Sequence, residues 1–477
     1  MTSYGAIPAW WAGGPAPAER KIHSAQKAAQ SLAERYGHGI PSAAPSLLEY
    51  IPDTELDGSG LYFLSDRQRS LPSGYSLDRV RTDFPALQQK VNGHRLVWLD
   101  NAATTHKPQS VINRVRLFYE NENSNVHRAA HTLAARATAA YEDARSAVAS
   151  FLGASTPREI VFVRGATEGI NLVANSGGQR FVQEGDEIVV SELEHHSNIV
   201  PWQLLCQRTG AKLRVLPVDD DGDIQIDALE RIIGPHTRFV AITQLANTIG
   251  TIVPVCLVSQ IAHAYGALVV VDGAQSAGHL PVNVGELGAD FFVLSGHKIY
   301  GPTGIGALYA KEHLLESMPP WQGGGSMIDT VTFDHTTYAS PPAKFEAGTG
   351  HLAGAVGLAT ALEYVDRLGR PALAAHEQIL MQRLLSELNQ INGLHIVANP
   401  ALRSGSVSFW VDGIPTQEVG RRLDKDGIAV RAGHHCAQPL LRRFGLTSTV
   451  RASLAVYNCA DDIDTLAASL RRLARSV

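Results

Sequence analysis

The sequence predicts an α/β protein: a large domain on a parallel sheet covered on both faces, then a smaller domain. Three observations predict it. Short apolar runs rich in β-branched residues alternate with helical patterns between about residues 95 and 298. After about residue 360 the pattern becomes helix, strand and helix again. The 477 residues, 44% of them hydrophobic, are enough for two or more packed cores.

Residues 1–74 differ from the rest of the chain. They are rich in Pro, Gly, Ser and Ala (GGPAPAE, GHGIPSAAPS, DGSG, LPSG), a composition that buries little and reads as an extension or linker. One helix is expected inside it. AERKIHSAQKAAQSLAERYG puts Ile22, Ala25, Ala29, Leu32 and Tyr36 on one face, and Gly37 ends it. That face is thin, so the helix is expected to form only against a partner.

From Tyr75 the texture is globular. Residues 75–95 read as a segment packing on the small domain, 96–360 as the large domain and 361–477 as the small one. RLVWLD is a strand, followed by a helix from about Pro108. EIVFVRG is a strand, with TEGINLVANS as its helix. EIVVSELEHH precedes the helix PWQLLCQRTG. KLRVLPV, RFVAITQLAN, ALVVVDGAQ and FFVLSGHK are further strands. In such sheets functional groups collect beyond the C-terminal strand ends. Several strands here end in polar clusters: Asp100-Asn101, Thr167-Glu168, Glu194-His195-His196, Asn247, Asp272 with Gln275, and Ser295 with His297-Lys298.

Composition narrows the function classes. A net charge of −5 gives no electrostatic reason to expect nucleic acid or an anionic membrane. Cys206, Cys256, Cys436 and Cys459 are scattered and form no C-x-x-C pair, which argues against a zinc ribbon or a disulfide framework and fits a reducing cytoplasm. No apolar run has membrane-spanning length, the N-terminus has no secretory pattern, and no metal-ligand cluster or P-loop is seen.

The strand ends carry the chemistry. Asp272 directly follows a buried strand, where a carboxylate is costly without a cation. Lys298 follows the next strand, in a Gly-rich turn. Alone, it reads as a surface lysine. Together the two match the needs of pyridoxal 5′-phosphate (PLP): an amine for the cofactor's aldehyde and a carboxylate to keep the pyridine nitrogen protonated. VRGATEGINL offers the Ala166 and Thr167 amides at a helix start, where anions bind; Thr167 is equally read as a plain N-cap. His195 ends a strand beside the same cleft, as ring partner or polar loop histidine. Gln275 and Asn247 are placed for the ring hydroxyl, and Ser295 and His297 for the phosphate. In AVRAGHHCAQPLL, Cys436 sits in a polar turn rather than inside the apolar run before it, which points to a reactive thiol. Arg451, between Val450 and Ala452, is expected to be buried with an anionic partner. Cys206, Cys256 and Cys459 read as packing residues.

VDGAQ, SGHKIYGPTGIG, PPWQGGGSMI, FEAGT, RAGHHCA and VRASLA occur in order and with matching spacing. From about Tyr75 onward the chain resembles the group II, SufS-type cysteine desulfurases, which are fold-type I PLP enzymes related to class V aminotransferases. The resemblance implies a mostly parallel seven-stranded sheet plus a smaller α/β C-terminal domain. It makes Lys298 the Schiff-base lysine, Asp272 the pyridinium partner and His195 the residue stacked on the ring. Thr167, Ser295 and His297 would hold the phosphate, with Thr349 arriving from the other subunit of a homodimer. Gln275 and Asn247 would contact the ring hydroxyl. Arg451 would bind the carboxylate of L-cysteine, with Arg431, His127 and Arg128 as further cleft residues. Cys436 would take the sulfur as a persulfide, leave L-alanine, and pass the sulfur to an acceptor protein. His434 and His435 are candidates to promote its thiolate, or are structural. After FEAGT the family pattern Pro-Asn is replaced by Gly350-His351. The extension 1–74 resembles those of desulfurases packaged in encapsulin shells, where it serves as a targeting segment. Alternatives are a selenocysteine lyase or an aminotransferase on the same fold, and a non-catalytic scaffold protein. The Cys436 turn argues against the aminotransferase, and the complete Lys298, Asp272, His195, Cys436 and Arg451 set argues against the scaffold.

Overall fold

A computed structural model describes residues 77–126 and 131–475; the 1–74 extension, with its expected helix, and the candidates His127 and Arg128 lie outside the described residues. The largest sheet has seven strands: β2 (Ile160–Val163), β3 (Glu187–Ser191), β4 (Lys212–Leu216), β5 (Thr237–Thr243), β6 (Leu268–Asp272), β7 (Phe291–Ser295) and β8 (Gly306–Ala310). Their spatial order is β2-β8-β7-β6-β5-β3-β4. All pairings are parallel except those of β8, which runs antiparallel to β2 and β7. The central strands are buried along their length apart from Leu268 at the start of β6, as their apolar runs require.

Two expectations are corrected. RLVWLD contributes only β1 (Val97–Trp98), which pairs in parallel with β11 (Ile428–Ala429) and not with the large sheet. Its Val97 and Leu99 are buried instead in the core of the smaller sheet. Strand β8, GALYA, was hidden in the sequence by Gly306 and its two alanines, which weaken a strand pattern. A Cβ on Gly306 would come within 2.4 Å of the Leu294 carbonyl oxygen, so this alignment of β8 on β7 needs glycine.

Helices α1 (Gln109–Asn121) and α2 (Thr132–Leu152) precede β2. Helix α3 (Ala166–Leu172) continues through a π-helical turn into residues 173–181. Helices α4 (Val200–Thr209) and α5 (Val255–Ala264) lie between strands, and α6 (Leu352–Leu368) packs on α1 and α2. One core joins α3, α4 and the sheet through Ile170, Trp202, Phe239, Phe291 and Val293.

A second, four-stranded antiparallel sheet has the order β9-β10-β13-β12, from Leu394–Ile396, Ser406–Val411, Thr449–Ser453 and Arg431–Gly433. Helices α7 (Arg370–Asn389), α8 (Gln438–Arg443) and α9 (Ala460–Ala474) accompany it. Leu384, Phe409, Val450, Leu466 and Leu470 form its core, together with Val97 and Leu99 from the start of the chain. Arg81 and Arg95 reinforce that junction through Asp462 at 3.0 and 2.9 Å.

Candidate active site

The C-terminal ends of β2, β3, β5, β6 and β7 and the segments around β12 and β13 surround one cavity of about 250 Å³. Ala166, Thr167, His195, Asn247, Asp272, Gln275, Ser295, His297, Lys298, Arg431, Cys436 and Arg451 all line it. These expected residues are brought together from points up to 285 positions apart in sequence, from Ala166 to Arg451. Thr349 is exposed and outside the cavity of its own chain, with its hydroxyl 3.5 Å from Asn125 Oδ1.

One end of the cavity is built by the turn after β2. The N-cap of α3 is Gly165, not Thr167, so the N-cap reading of Thr167 is corrected. The chain turns two residues earlier than the Thr signal suggested, at a glycine with φ 157° where an added Cβ would crowd Ser295 Oγ at 3.2 Å. Ser295 Oγ instead accepts the Ala166 amide at 2.9 Å, tying β7 to the start of α3. Thr167, exposed, faces the same space.

The turn Gly296–Lys298 is held by the segment after β1. The His297 carbonyl accepts the Thr105 amide at 2.9 Å and the Thr104 hydroxyl at 3.0 Å. Burial lowers the His297 pKa to about 4, helped by Lys298 and Lys107, so its ring is neutral at physiological pH.

Lys298 and Asp272 form the charged centre. Burial lowers the Lys298 pKa, Asp272 works against that, and Arg451 adds to the lowering. Burial raises the Asp272 pKa, opposed by the Ala274 amide, which it accepts at 2.9 Å, and by Lys298. His195 Nδ1 accepts the Ser197 amide at 3.1 Å and meets the Ser197 hydroxyl at 2.8 Å. Desolvation, with Lys298 nearby, lowers the His195 pKa to about 3. The ring is therefore neutral, with its proton on Nε2. Glu194, fully buried beside it, accepts from the Ser191 hydroxyl, the Asn198 amide group and the Thr243 backbone; burial still raises its pKa to about 8.

The opposite wall carries the thiol. His435 and Cys436 both adopt left-handed backbone, φ 52° and 55°, a conformation costing a non-glycine residue of order 1 kcal/mol or more. The turn is braced: the Cys436 amide donates to His434 Nδ1 at 3.0 Å, and its carbonyl accepts the His196 amide at 2.8 Å. Burial lowers the His435 pKa to about 3, and its Nε2 lies 2.8 Å from Thr449 Oγ1. The neutral imidazole brings no positive charge to the thiol, and its Nε2 contact with Thr449 ties the turn to β13. Asn247 and Gln275 donate through their side-chain nitrogens to the His435 and Ala102 carbonyls, both at 2.8 Å.

Arg451, 2% exposed in the middle of β13, donates to the Asn247 carbonyl at 3.1 Å and to Asp100 Oδ1 at 3.2 Å. Its buried Nε has no hydrogen-bond partner among the described residues. Arg431 reaches Asp100 Oδ2 at 3.5 Å. Asp100, which holds the cavity's two arginines, and Thr243, Ser197, Ala102 and Ala103, which line it, have places in the site that the sequence did not show. The Asp100-Asn101 strand-end signal pointed to the first of them. Cys206 packs against the large-sheet core as expected. Cys459 instead stands at the N-cap of α9, with its amide 3.2 Å from Asp462 Oδ2. At the Gly350-His351 departure, a Cβ on Gly354 would lie 2.3 Å from the His351 ring, so His351 is accommodated by a glycine one turn on.

The chain is similar to known proteins over most of its length. The family model described as aminotransferase class-V matches residues 97–466. This chain belongs to the aminotransferase class-V family. Among its relatives in that family, a cysteine desulfurase of Synechococcus elongatus is 54% identical over 84% of this chain and 64% of its own length. A cysteine desulfurase of Dickeya dadantii is 52% identical over 84% of this chain and 97% of its own. The chain thus spans 58 to 66% of the length of the first three curated relatives it matches. The crystal structure of the Escherichia coli cysteine desulfurase CsdA is 40% identical, with a TM-score of 0.78, covering 84% of this chain and 99% of that one. A structure of C-DES with glycine covalently linked to its PLP cofactor is 25% identical, with a TM-score of 0.69, covering 82% and 98%.

Proposed function

We propose that the chain is a PLP-dependent cysteine desulfurase that converts L-cysteine to L-alanine and takes up the sulfur on Cys436. The observation that carries this reading is one cavity holding a lysine and a buried aspartate on one side and, on the other, a thiol in a strained turn beside a buried arginine.

The residues fit the cofactor. Asp272 is a buried carboxylate whose pKa burial raises, suited to a protonated pyridine nitrogen. Ser295, His297, Thr167 and the Ala166 turn would hold the phosphate, His195 would cover the ring face, and Gln275 and Asn247 would lie along the ring edge. When bound, PLP supplies an electron sink for the pair left on Cα after proton removal.

The chain's own groups do the rest. Burial keeps a fraction of Lys298 as free amine, suited to removing the Cα proton and returning one. Arg451 presents its unpartnered Nε edge to the substrate carboxylate. The Cys436 thiolate attacks the substrate sulfur; the S–S bond forms, the Cβ–S bond breaks with its electron pair going to carbon, and protonation there yields alanine. The neutral His195 ring stacks without adding charge.

This reading keeps the division into 75–95, 96–360 and 361–477, and Arg431, His127 and Arg128 as cleft residues. It includes a homodimer with Thr349 reaching the partner's phosphate site, a persulfide-accepting protein and a cytoplasmic setting. No helix among the described residues is long and apolar enough to cross a membrane. Residues 1–74 are read as a targeting segment for an encapsulin shell. Deleting them should leave turnover unchanged and abolish co-purification with shell protein; retained co-purification refutes that part.

The test of the activity is alanine and sulfide formation from L-cysteine, PLP and a reducing thiol. Equal yields, lost in both Cys436→Ala and Lys298→Ala, support the desulfurase. Full alanine production by Cys436→Ala moves the assignment to a lyase or aminotransferase.

A further inference from the structure

The turn that carries Lys298 is gripped from behind by a buried residue of the segment after β1. The Thr105 amide and hydroxyl both donate to the His297 carbonyl, at 2.9 and 3.2 Å. The same hydroxyl oxygen accepts the Tyr300 amide at 2.8 Å. A hydroxyl has one proton to give and lone pairs to receive, so both bonds form at once. One threonine therefore holds the peptide before Lys298 and the amide two residues after it. Thr104 Oγ1 and Lys107 Nζ reach the same His297 oxygen at 3.0 and 3.3 Å. That oxygen has more donors than its two lone pairs can serve, so the Thr105 hydroxyl matters most at Tyr300. Tyr300 is fully buried with φ 64°, a left-handed backbone that a bulky residue keeps only when its surroundings impose it. Its ring hydroxyl accepts the Val456 amide at 3.2 Å, which anchors the far end of the side chain. From the other side, the one-turn helix Ser276–His279 comes close to Lys298: a Cβ on Gly278 would lie 2.9 Å from the Lys298 carbonyl oxygen.

We propose that Thr105 is a positioning residue for Lys298: its hydroxyl fixes the backbone on both sides of the lysine and so sets where the Lys298 amine stands in the cavity. The inference rests on the reading of Lys298 as the amine that moves the Cα proton. Lys298 lines the cavity and Thr105 does not, so Thr105 acts only through the turn. Proton transfer needs the amine within hydrogen-bond reach of its target, and a misplacement of about 1 Å can cost about 100-fold. A turn that loses one of several bonds shifts less, and about a tenfold loss in kcat is expected. Arg451, the expected partner of the substrate carboxylate, is held by Asp100 and the Asn247 carbonyl and not by this turn, so KM should change little.

The test uses the full chain loaded with PLP, alanine formation from L-cysteine, and kcat expressed per bound PLP. Thr105→Val keeps the shape and removes the hydroxyl; Thr105→Ser keeps the hydroxyl. The valine variant should lose about tenfold in kcat with KM within about twofold of wild type, and serine should restore most of the loss. A merely structural threonine would lower Tm or PLP content and leave kcat per bound PLP at the wild-type value, and that result overturns the proposal. A loss confined to KM, or one that serine does not restore, overturns it as well. If Thr105→Val does not fold, Thr105→Ala takes its place with the same expected and refuting results. Lys298→Ala separates the two readings: full alanine production by that variant refutes the role of Lys298 whatever Thr105 does. An inactive Lys298→Ala beside an unaltered Thr105→Val overturns the positioning role alone.

Discussion

Arg145→Met should destabilise the protein by about 3 kcal/mol, and Glu346→Gln on top of it should cost little more. Arg145 is 2% exposed on α2. It grips Glu346 with two nitrogens, at 2.6 and 3.0 Å, and also donates to Glu142 at 3.0 Å and to the Ile160 carbonyl at 2.9 Å. Burial works to lower its pKa, yet Glu346 and Glu142 raise it above the ordinary value, so the guanidinium stays charged. A pair of charges about 4 Å apart at an effective dielectric near 20 contributes about 4 kcal/mol. Methionine strips Glu346 of that partner and leaves it the Phe162 amide at 2.7 Å and the Tyr141 hydroxyl at 3.0 Å, which offsets about 1 kcal/mol. With about 2.1 cal/mol/K of unfolding entropy per residue over about 400 residues, a 3 kcal/mol loss lowers Tm by about 4 °C. Differential scanning calorimetry and urea titration of the four proteins in the cycle measure it. Glu346 precedes Thr349 by three residues, so the single variants should also weaken cofactor retention if Thr349 acts across the dimer. Additive losses within about 0.5 kcal/mol would refute the pairing argument.

Glu194→Gln tests the most displaced carboxyl. Its pKa rises by burial from 4.5 to about 8, so between those values the folded state holds more protons than the unfolded one. Stability therefore falls as pH rises through that window, by at most on the order of 5 kcal/mol, and glutamine should flatten the slope in urea titrations from pH 5 to 8. Buried neutral His195 and His435 act in the opposite sense: their stability is present above pH 6.5 and is lost as pH falls toward about 3. Asp272→Asn keeps the acceptor for the Ala274 amide but removes the charge, and alanine formation should drop about 10- to 100-fold with folding intact. Mixing Lys298→Ala protomers with Thr349→Ala protomers should restore activity if Thr349 serves the partner's site, because one site of the mixed dimer is then intact; no recovery on subunit exchange refutes the trans contact.

The alternating strands were legible because a strand buried on both faces must be apolar through its middle, as Ile188–Val190, Phe239–Ile242, Leu268–Val271 and Phe291–Leu294 are. Strand β8 escaped because the glycine and alanines that fit against β7 carry weak strand propensity. RLVWLD was legible as a strand but not in its pairing, since its partner Ile428–Ala429 lies about 330 residues away. Thr167 looked like an N-cap because its side chain suits that position. The turn was decided instead by clearance between Gly165 and Ser295.

The sequence by itself determined the chemical inventory: an aspartate and a lysine after consecutive buried strands, a cysteine in a polar turn, an arginine in an apolar strand, and the motifs that tie them to one family. Those are local properties, set by the periodicity and polarity of a few neighbouring residues. Only the tertiary structure decided that Asp100 spans Arg451 and Arg431, that burial keeps His435 neutral against Thr449, and that Arg145 holds Glu346. Each of these depends on burial and on distances of 2.6 to 3.5 Å between residues as many as 351 positions apart. Charge and desolvation act through space, so residues distant in sequence settle them.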